Sequence, residues 1–150
     1  MASFYGEYRV KVDDKGRIVF PSAFKGLFES ENDLRFVVKK SIFSPCLEMY
    51  THDEWDANSE EVCSKLNMFN REHALFWREY MRDTASVEPD GKLGRISIPK
   101  ALLEKVGIAS GVEVVFFGAG FKIEIWPKDE FEAQKLSGGD YTALAEKILG

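Results

Sequence analysis

Two short stretches decide the fold of this chain: Lys15-Gly16-Arg17-Ile18-Val19-Phe20-Pro21-Ser22-Ala23-Phe24 and Leu93-Gly94-Arg95-Ile96-Ser97-Ile98-Pro99-Lys100-Ala101-Leu102. Gly, Arg, Ile, Pro and Ala coincide at a constant offset of 78 residues. A second block, 47–57, aligns with 123–133 at an offset of 76. Two matching blocks in the same order predict a tandem duplication.

The duplication divides the 150 residues into four segments. We place the first repeat at residues 6–57 and the second at 83–133. A helical linker is expected at 58–82, and a C-terminal tail follows at 134–150. The length suits one domain or two intimately fused small ones.

Each repeat has a readable secondary structure. Tyr8–Val12 alternates with period two, as a half-buried strand does. Asp13–Gly16 has turn chemistry, and Arg17–Phe20 returns, which predicts a β-hairpin with Arg17 at its base. Pro21 ends the strand and suits the first turn of a helix. The other predicted elements are strands 35–40, 46–50, 112–117 and 121–126 and a helix at 99–106, so each repeat is strand, strand, helix, strand, strand.

The linker has an apolar stripe at helical spacing, with a break near Asn67–Asn70. Its members are Val62, Leu66, Phe69, His73, Phe76, Trp77 and Tyr80. The stripe either packs against the chain's own repeats or joins copies of the chain. Arg71, Arg78 and Arg82 share another side of the helix, as solvated charges or as phosphate contacts. In the tail, residues 137–139 predict a break before a loose helix at Tyr141–Leu149.

Charge is distributed unevenly along the chain. The formal net charge is −5, but residues 1–45 hold eight basic and six acidic side chains, whereas the remainder is −7. Phosphate binding depends on the local field, so an acidic protein can bind DNA through one basic face, especially when several copies present it together.

The composition also excludes several classes of protein. Cys46, Cys63, His52 and His73 have no metal-ligand spacing, so we expect free, partly buried thiols, no metal and no cofactor. No apolar run spans a bilayer, and the N-terminus lacks a secretory pattern, which predicts a cytoplasmic protein without a membrane partner.

The motif Val12-Asp13-Asp14-Lys15-Gly16-Arg17-Ile18-Val19-Phe20-Pro21 resembles the signature of the MraZ family, as do Gly94–Pro99 and the arginine-bearing linker. The similarity extends from about residue 4 to residue 133. It implies an α+β, mainly β fold in which two AbrB-like repeats interlock into one pseudo-two-fold β-barrel with flanking helices.

The resemblance also implies a function. MraZ proteins are cytoplasmic, nucleoid-associated transcriptional regulators of the operon that begins with their own gene and encodes division and cell-wall enzymes. They form rings and bind direct repeats in promoter DNA, and the family implies repression. The expected partners are therefore double-stranded DNA and further copies of the chain.

The candidate DNA contacts are Lys15, Arg17, Arg9, Lys11, Lys92 and Arg95. Arginine on a turn can bind guanine edges through two hydrogen bonds. Lys15 and Arg17 are preferred, because Gly91 stands where the first repeat has Asp13 and Asp90 comes one residue early. Arg17 could instead form an ion pair with Asp13, and Arg95 could simply close the barrel.

Two other classes of function are alternatives for this sequence. An enzyme is disfavoured, because the chain lacks the Gly-x-Ser-x-Gly, Gly-x-x-x-x-Gly-Lys and His-Glu-x-x-His motifs; Gly118-Ala119-Gly120 predicts a hairpin turn, and the adjacent Asp13 and Asp14 should be solvated. No small-molecule substrate is expected. An antitoxin is the other alternative, although such chains usually have one DNA-binding copy and a disordered toxin-binding tail.

Overall fold

The computed structural model of the chain describes residues 3–25, 35–90 and 94–150. In chain order its elements are β1 (Phe4–Lys11), β2 (Arg17–Val19), α1 (Ser22–Lys25), β3 (Phe36–Lys40), β4 (Leu47–Thr51), α2 (His52–Ser64), α3 (Arg71–Met81), β5 (Thr84–Val87), β6 (Arg95–Ser97), α4 (Lys100–Lys105), β7 (Glu113–Gly120), β8 (Ile123–Pro127), α5 (Lys128–Ala133) and α6 (Gly138–Leu149). The predicted order of strand, strand, helix, strand, strand occurs twice, and the fold is α+β with a mainly antiparallel sheet.

The strands form a six-stranded sheet of order β1-β7-β8-β4-β3-β5 and a two-stranded ribbon of β2 and β6. The β1–β7, β3–β5, β4–β8 and β2–β6 pairings each join a strand of the first predicted repeat to one of the second. If each strand is replaced by its counterpart in the other repeat, the same strand order is obtained in the reverse direction. The two repeats are therefore interlocked by strand pairing, whereas closure into a barrel stays a prediction.

The predicted hairpin between Tyr8–Val12 and Arg17–Phe20 is wrong. β1 pairs along its whole length with β7, and β2 pairs with β6. A single bridge between Val12 and Ile18 is what joins the two segments. Alternation along a strand predicts which face is buried but does not identify the partner strand, because any neighbour with a matching face satisfies it.

The main core fills the space between the sheet, the ribbon and helices α1 and α4. Phe20 lies within it, with ring centroids 5.4 Å from Phe36 and 6.2 Å from Phe116. Ile18 and Ile96 on the ribbon are completely buried. Burying one such side chain contributes about 1.5–3 kcal/mol, so the core fixes the face that the ribbon turns outward.

The apolar stripe of the linker is partly buried against the sheet and partly exposed. Helices α2 and α3 cover the outer side of the sheet, where Tyr80 stacks on Trp55 at 5.8 Å and on Trp77 at 5.4 Å. Phe69 is fully exposed and Phe76 is largely exposed. The predicted break between the helices is confirmed, and His73 stabilises it by accepting a hydrogen bond from the Asn67 N–H through Nδ1 at 2.8 Å.

A charged trio lies where β4 meets β8. Glu48 and Glu124 are directly opposite each other, which is unfavourable for like charges. Lys122 lies between them, with its Nζ 2.8 Å from a Glu48 oxygen and 3.5 Å from a Glu124 oxygen. Burial opposes the charge on Lys122, but the two carboxylates outweigh it and raise its pKa.

The tail departs from its prediction. Helix α6 begins at Gly138 rather than after the two glycines, because the Ser137 hydroxyl accepts a hydrogen bond from the Asp140 N–H and caps the helix. Gly118, Ala119 and Gly120 continue β7, and the turn falls at Phe121 and Lys122. Cys46 and Cys63 are free thiols, and burial raises the pKa of Cys46 to about 12. Within residues 3–25, 35–90 and 94–150, none of the helices is long and apolar enough to cross a membrane.

Candidate nucleic-acid interface

The β2–β6 ribbon positions two arginines on one outward face. Ile18 lies opposite Ile96 and both point into the core, so the residues on either side of each point away from it. Arg17 stands opposite Ser97, and Arg95 stands opposite Val19. The interlocked pairing therefore places one arginine from each repeat side by side.

The first-repeat turn is built around the Asp13 carboxylate. Its Oδ1 accepts hydrogen bonds from the N–H groups of Lys15 at 2.9 Å and Arg17 at 2.8 Å. Its Oδ2 accepts a hydrogen bond from Arg17 Nε at 2.8 Å. Gly16 completes the turn in the left-handed region, with φ of 77°. The backbone hydrogen bond from Arg17, more than any other contact, lowers the pKa of Asp13 and keeps the carboxylate ionised.

The second-repeat turn is one residue longer. Asp90 Oδ1 accepts a hydrogen bond from the Arg95 N–H at 3.0 Å, so its carboxylate closes the turn over five residues instead of four. Gly94 has φ of 62°, and the Lys25 side chain covers it so closely that a Cβ there would collide with the amine. Lys92 lies outside the described residues.

Asp13 also approaches the guanidinium group of the second arginine. Arg95 Nη1 lies 4.0 Å from Asp13 Oδ2, the same oxygen that binds Arg17. The side chains of Asp13, Arg17 and Arg95 are 31%, 31% and 27% exposed. The predicted alternative for Arg17, an ion pair with Asp13, is thus present, and it leaves the terminal guanidinium nitrogens accessible to a ligand.

Of the other predicted contacts within the described residues, Lys15 lies in the same turn as Arg17, and the rest lie on or beside other elements. Lys15 is exposed at the first turn. Arg9 and Lys11 point from β1 away from the main core, and Arg9 Nη2 donates a hydrogen bond to Glu132 Oε1 of α5 at 2.8 Å. Arg71, Arg78 and Arg82 are exposed on or beside α3, where Arg82 pairs with Glu79 at 3.0 Å.

Sequence reasoning missed Lys25 beside the second turn and the approach of Asp13 to Arg95. Neither pairing has a local signal, because the partners are about 70–80 positions apart and meet only through the β2–β6 pairing. The signal that was available is the single-residue difference between the turns, with Asp13 in one repeat and Gly91 at the matching position of the other.

Comparison with known proteins assigns the family. The family model for the MraZ protein, described as antitoxin-like, matches residues 3–79 and 80–137. Transcriptional regulator MraZ of Bacteroides thetaiotaomicron is 34% identical over 149 residues, covering 99% of this chain and 94% of the relative. The proteins of the same name from Christiangramia forsetii and Acetivibrio thermocellus are 37% and 36% identical, with 100% and 97% of this chain and 95% and 93% of the relatives covered. The chain belongs to the MraZ family.

Proposed function

We propose that this chain is a DNA-binding transcriptional regulator that represses its own division and cell-wall gene cluster. In this proposal it acts in the cytoplasm, on the nucleoid, and binds direct repeats in the promoter as a ring of copies. Its repeats are residues 6–57 and 83–133, joined by the linker at 58–82 and followed by the tail at 134–150. The names of the curated relatives support the regulatory role.

The observation that best supports DNA as the ligand is the outward pair of Arg17 and Arg95 on the ribbon, beside the exposed Lys15. The two strands form a two-stranded β-ribbon with one face turned away from the core, and the major groove of B-DNA admits a two-stranded ribbon. Arginine presents a planar fork of donors that matches the N7 and O6 acceptors of guanine. The accessible guanidinium groups are the proposed base contacts, and Lys15, Lys11, Arg9 and Lys92 are the proposed phosphate contacts.

Affinity in this proposal depends on assembly. One acidic protomer with few basic groups neutralises few phosphates, and binding strength and its salt dependence both rise with the number of phosphates neutralised. Several joined copies convert later contacts into intramolecular ones and raise the overall affinity without new chemistry.

The exposed part of the linker stripe is the proposed joining surface. The exposed apolar side chains on or beside α3 are Phe69 and Phe76 of the stripe and their sequence neighbours Met68 and Leu75. The other large members of the stripe pack against the sheet: Val62, Trp77 and Tyr80. Contiguous exposed apolar side chains of this size are typical of interaction sites, and the proposed occupant is a second copy of the chain. Phe69→Asp should lower the sedimentation coefficient, because it places a charge in the surface that joins the copies. Leu66→Asp places the same charge at a half-buried position of the stripe, so it shows what a loss of folding alone does to sedimentation.

A gel-shift titration with the DNA immediately upstream of the chain's own gene tests the function. Fragments with several direct repeats should be bound at least tenfold more tightly than fragments with one repeat. A monomeric protein that binds one repeat as tightly as the whole promoter would contradict the assembly. Equal affinity for promoter and unrelated DNA would contradict sequence-specific regulation.

The antitoxin alternative rests on the family description. It requires a partner toxin that the antitoxin needs for stability or activity. Purification of the chain alone as a folded homo-oligomer that binds its promoter would argue against it, and co-purification with a stoichiometric second protein would favour it.

A further inference from the structure

We infer that Asp13 is a positioning residue that joins Arg17 and Arg95 into one DNA-reading unit per protomer. The inference rests on the proposed DNA-binding function. It goes beyond that function in two respects: the two arginines act together, and an acidic side chain in the interface is required for base discrimination.

The geometry of the carboxylate supports this role. Asp13 Oδ1 is fully engaged by two backbone N–H groups, which fixes the carboxylate plane. Oδ2 then faces Arg17 Nε at 2.8 Å and Arg95 Nη1 at 4.0 Å. A flexible arginine side chain otherwise samples many rotamers, and ordering it on binding costs conformational entropy. Asp13 orders the guanidinium before DNA arrives.

The mode of contact leaves the reading groups available. Asp13 binds Arg17 through Nε, so the N–H groups on both terminal nitrogens stay available to bind two acceptors on one base. A carboxylate that engaged both terminal nitrogens would instead compete directly with guanine. The contact therefore orients Arg17 without occupying the donors that a base needs.

The described part of the second repeat has no carboxylate that binds a guanidinium in the way Asp13 does. Gly91 occupies the position that corresponds to Asp13, and Asp90 is hydrogen-bonded to the backbone of Arg95. In the described part of the chain, the acid within 4.0 Å of the Arg95 guanidinium is Asp13. The carboxylate that approaches the Arg95 guanidinium thus comes from the first repeat, which makes the two turns one composite unit in each protomer.

Electrostatics gives the same unit a second effect on specificity. The ionised carboxylate offsets one of the two adjacent positive charges, which weakens attraction to phosphates of any sequence. Its removal should strengthen binding to unrelated DNA while disordering the groups that read the promoter.

The test compares Asp13→Asn with Asp90→Asn. Both substitutions remove one negative charge from a ribbon turn, and asparagine keeps an oxygen that can accept the backbone N–H groups. In Asp13→Asn the ratio of promoter affinity to unrelated-DNA affinity should fall about tenfold. The salt slope on unrelated DNA should steepen by about one counterion. Asp90→Asn should leave the ratio within about twofold of wild type, because its carboxylate touches no guanidinium.

A second pair of variants keeps the inference testable if Asp13→Asn fails to fold, as judged by thermal melting. Arg17→Lys and Arg95→Lys retain the charge but lose the planar fork, so each should lower the affinity ratio, and the two losses should be non-additive if the arginines act as one unit. An unchanged ratio in Asp13→Asn, or an equal fall in both aspartate variants, would overturn the inference while leaving the function intact. A wild-type ratio of one would instead overturn the proposed function itself.

Discussion

At two places where the repeats meet, a charged side chain lies close to its duplicate from the other repeat. At each place one side chain of opposite charge, present in only one repeat, lies between the two like charges. In the β4–β8 pairing, Glu48 and Glu124 face each other and Lys122 lies between them. In the β2–β6 ribbon, Arg17 and Arg95 share one face and Asp13 lies between them. The matching positions in the other repeat are Cys46 and Gly91, so each added ion breaks the symmetry of the duplication.

The two trios differ in exposure and closeness. The side chains around Lys122 are 13–20% exposed, and the lysine lies 2.8 Å and 3.5 Å from the two carboxylates. The side chains around Asp13 are 27–31% exposed, and the second arginine is 4.0 Å away. Enclosed ions satisfy one another and stabilise the fold, whereas accessible ions retain donors for a ligand. The first trio therefore has the features of a structural site, and we propose that the second contacts DNA.

The largest expected effect comes from a fragment that lacks both of these contacts between the repeats. A fragment of residues 1–58 retains the β3–β4 pairing and loses the β1–β7, β3–β5, β4–β8 and β2–β6 pairings. One repeat of this size has too little core to fold alone, so the fragment should be unfolded or should dimerise. The measurement is its NMR spectrum and sedimentation. A well-dispersed spectrum from a monomer would show that the repeats are independent.

Removing the ion of the structural trio should destabilise the fold without changing DNA recognition. Lys122→Met leaves two half-buried glutamates facing each other, which should lower the free energy of unfolding by about 2–4 kcal/mol in urea titrations. Lys100→Met is the control, because its pair with Glu104 is highly exposed and contributes little. Loss of promoter discrimination in a folded Lys122→Met protein would contradict the separate structural and DNA-binding roles proposed for the two trios.

Removing an arginine of the trio around Asp13 should change DNA recognition without destabilising the fold. Arg17→Ala should weaken promoter binding by about 1–3 kcal/mol for each copy and abolish specific binding by the assembly, with little change in melting temperature. Arg82→Ala is the matched control, since it also removes an ion-paired surface arginine. If Arg82 contacts phosphate, binding to all sequences should weaken equally, and the promoter preference should persist.

The smallest expected effect is on acid stability. The folded pKa of Asp13 is lowered, chiefly by the backbone hydrogen bond from Arg17. The group therefore stabilises the fold above its unfolded pKa of about 4, and this stabilisation is lost as the pH falls through the folded value. Urea titrations between pH 5 and pH 3 should show a shallower loss in Asp13→Asn than in wild type. Parallel curves would mean that the carboxylate interactions persist in the unfolded chain.

Local features of the fold were predictable from the sequence because their signals are local. Alternation at Tyr8–Val12, the Asn67–Asn70 break and the prolines that precede α1 and α4 all depend on neighbours within a few residues. Strand partners were not predictable, since β1 would alternate in the same way beside β2 or β7. Ser137 also shows that a capping side chain can outweigh two helix-weakening glycines.

The candidate site was predictable in its residues but not in its arrangement. The repeated Gly-Arg motif identified Arg17 and Arg95 directly, and the spacing of Asp13 indicated an ion pair with Arg17. That Arg95 also approaches Asp13 follows from the β2–β6 register, which no local pattern encodes. Arg9 illustrates the same limit, because its partner Glu132 lies 123 positions away.

A double-mutant cycle on Arg17 and Arg95 tests the central claim most directly. Promoter affinity is measured for wild type, Arg17→Lys, Arg95→Lys and the double variant, at one salt concentration and with the same multi-repeat DNA, because the lysine variants keep the charge and a measurable affinity. If the arginines form one reading unit oriented by Asp13, the losses will be non-additive, with a coupling of about 0.5–3 kcal/mol. Additive losses within about 0.3–0.5 kcal/mol would show two independent contacts and contradict the account.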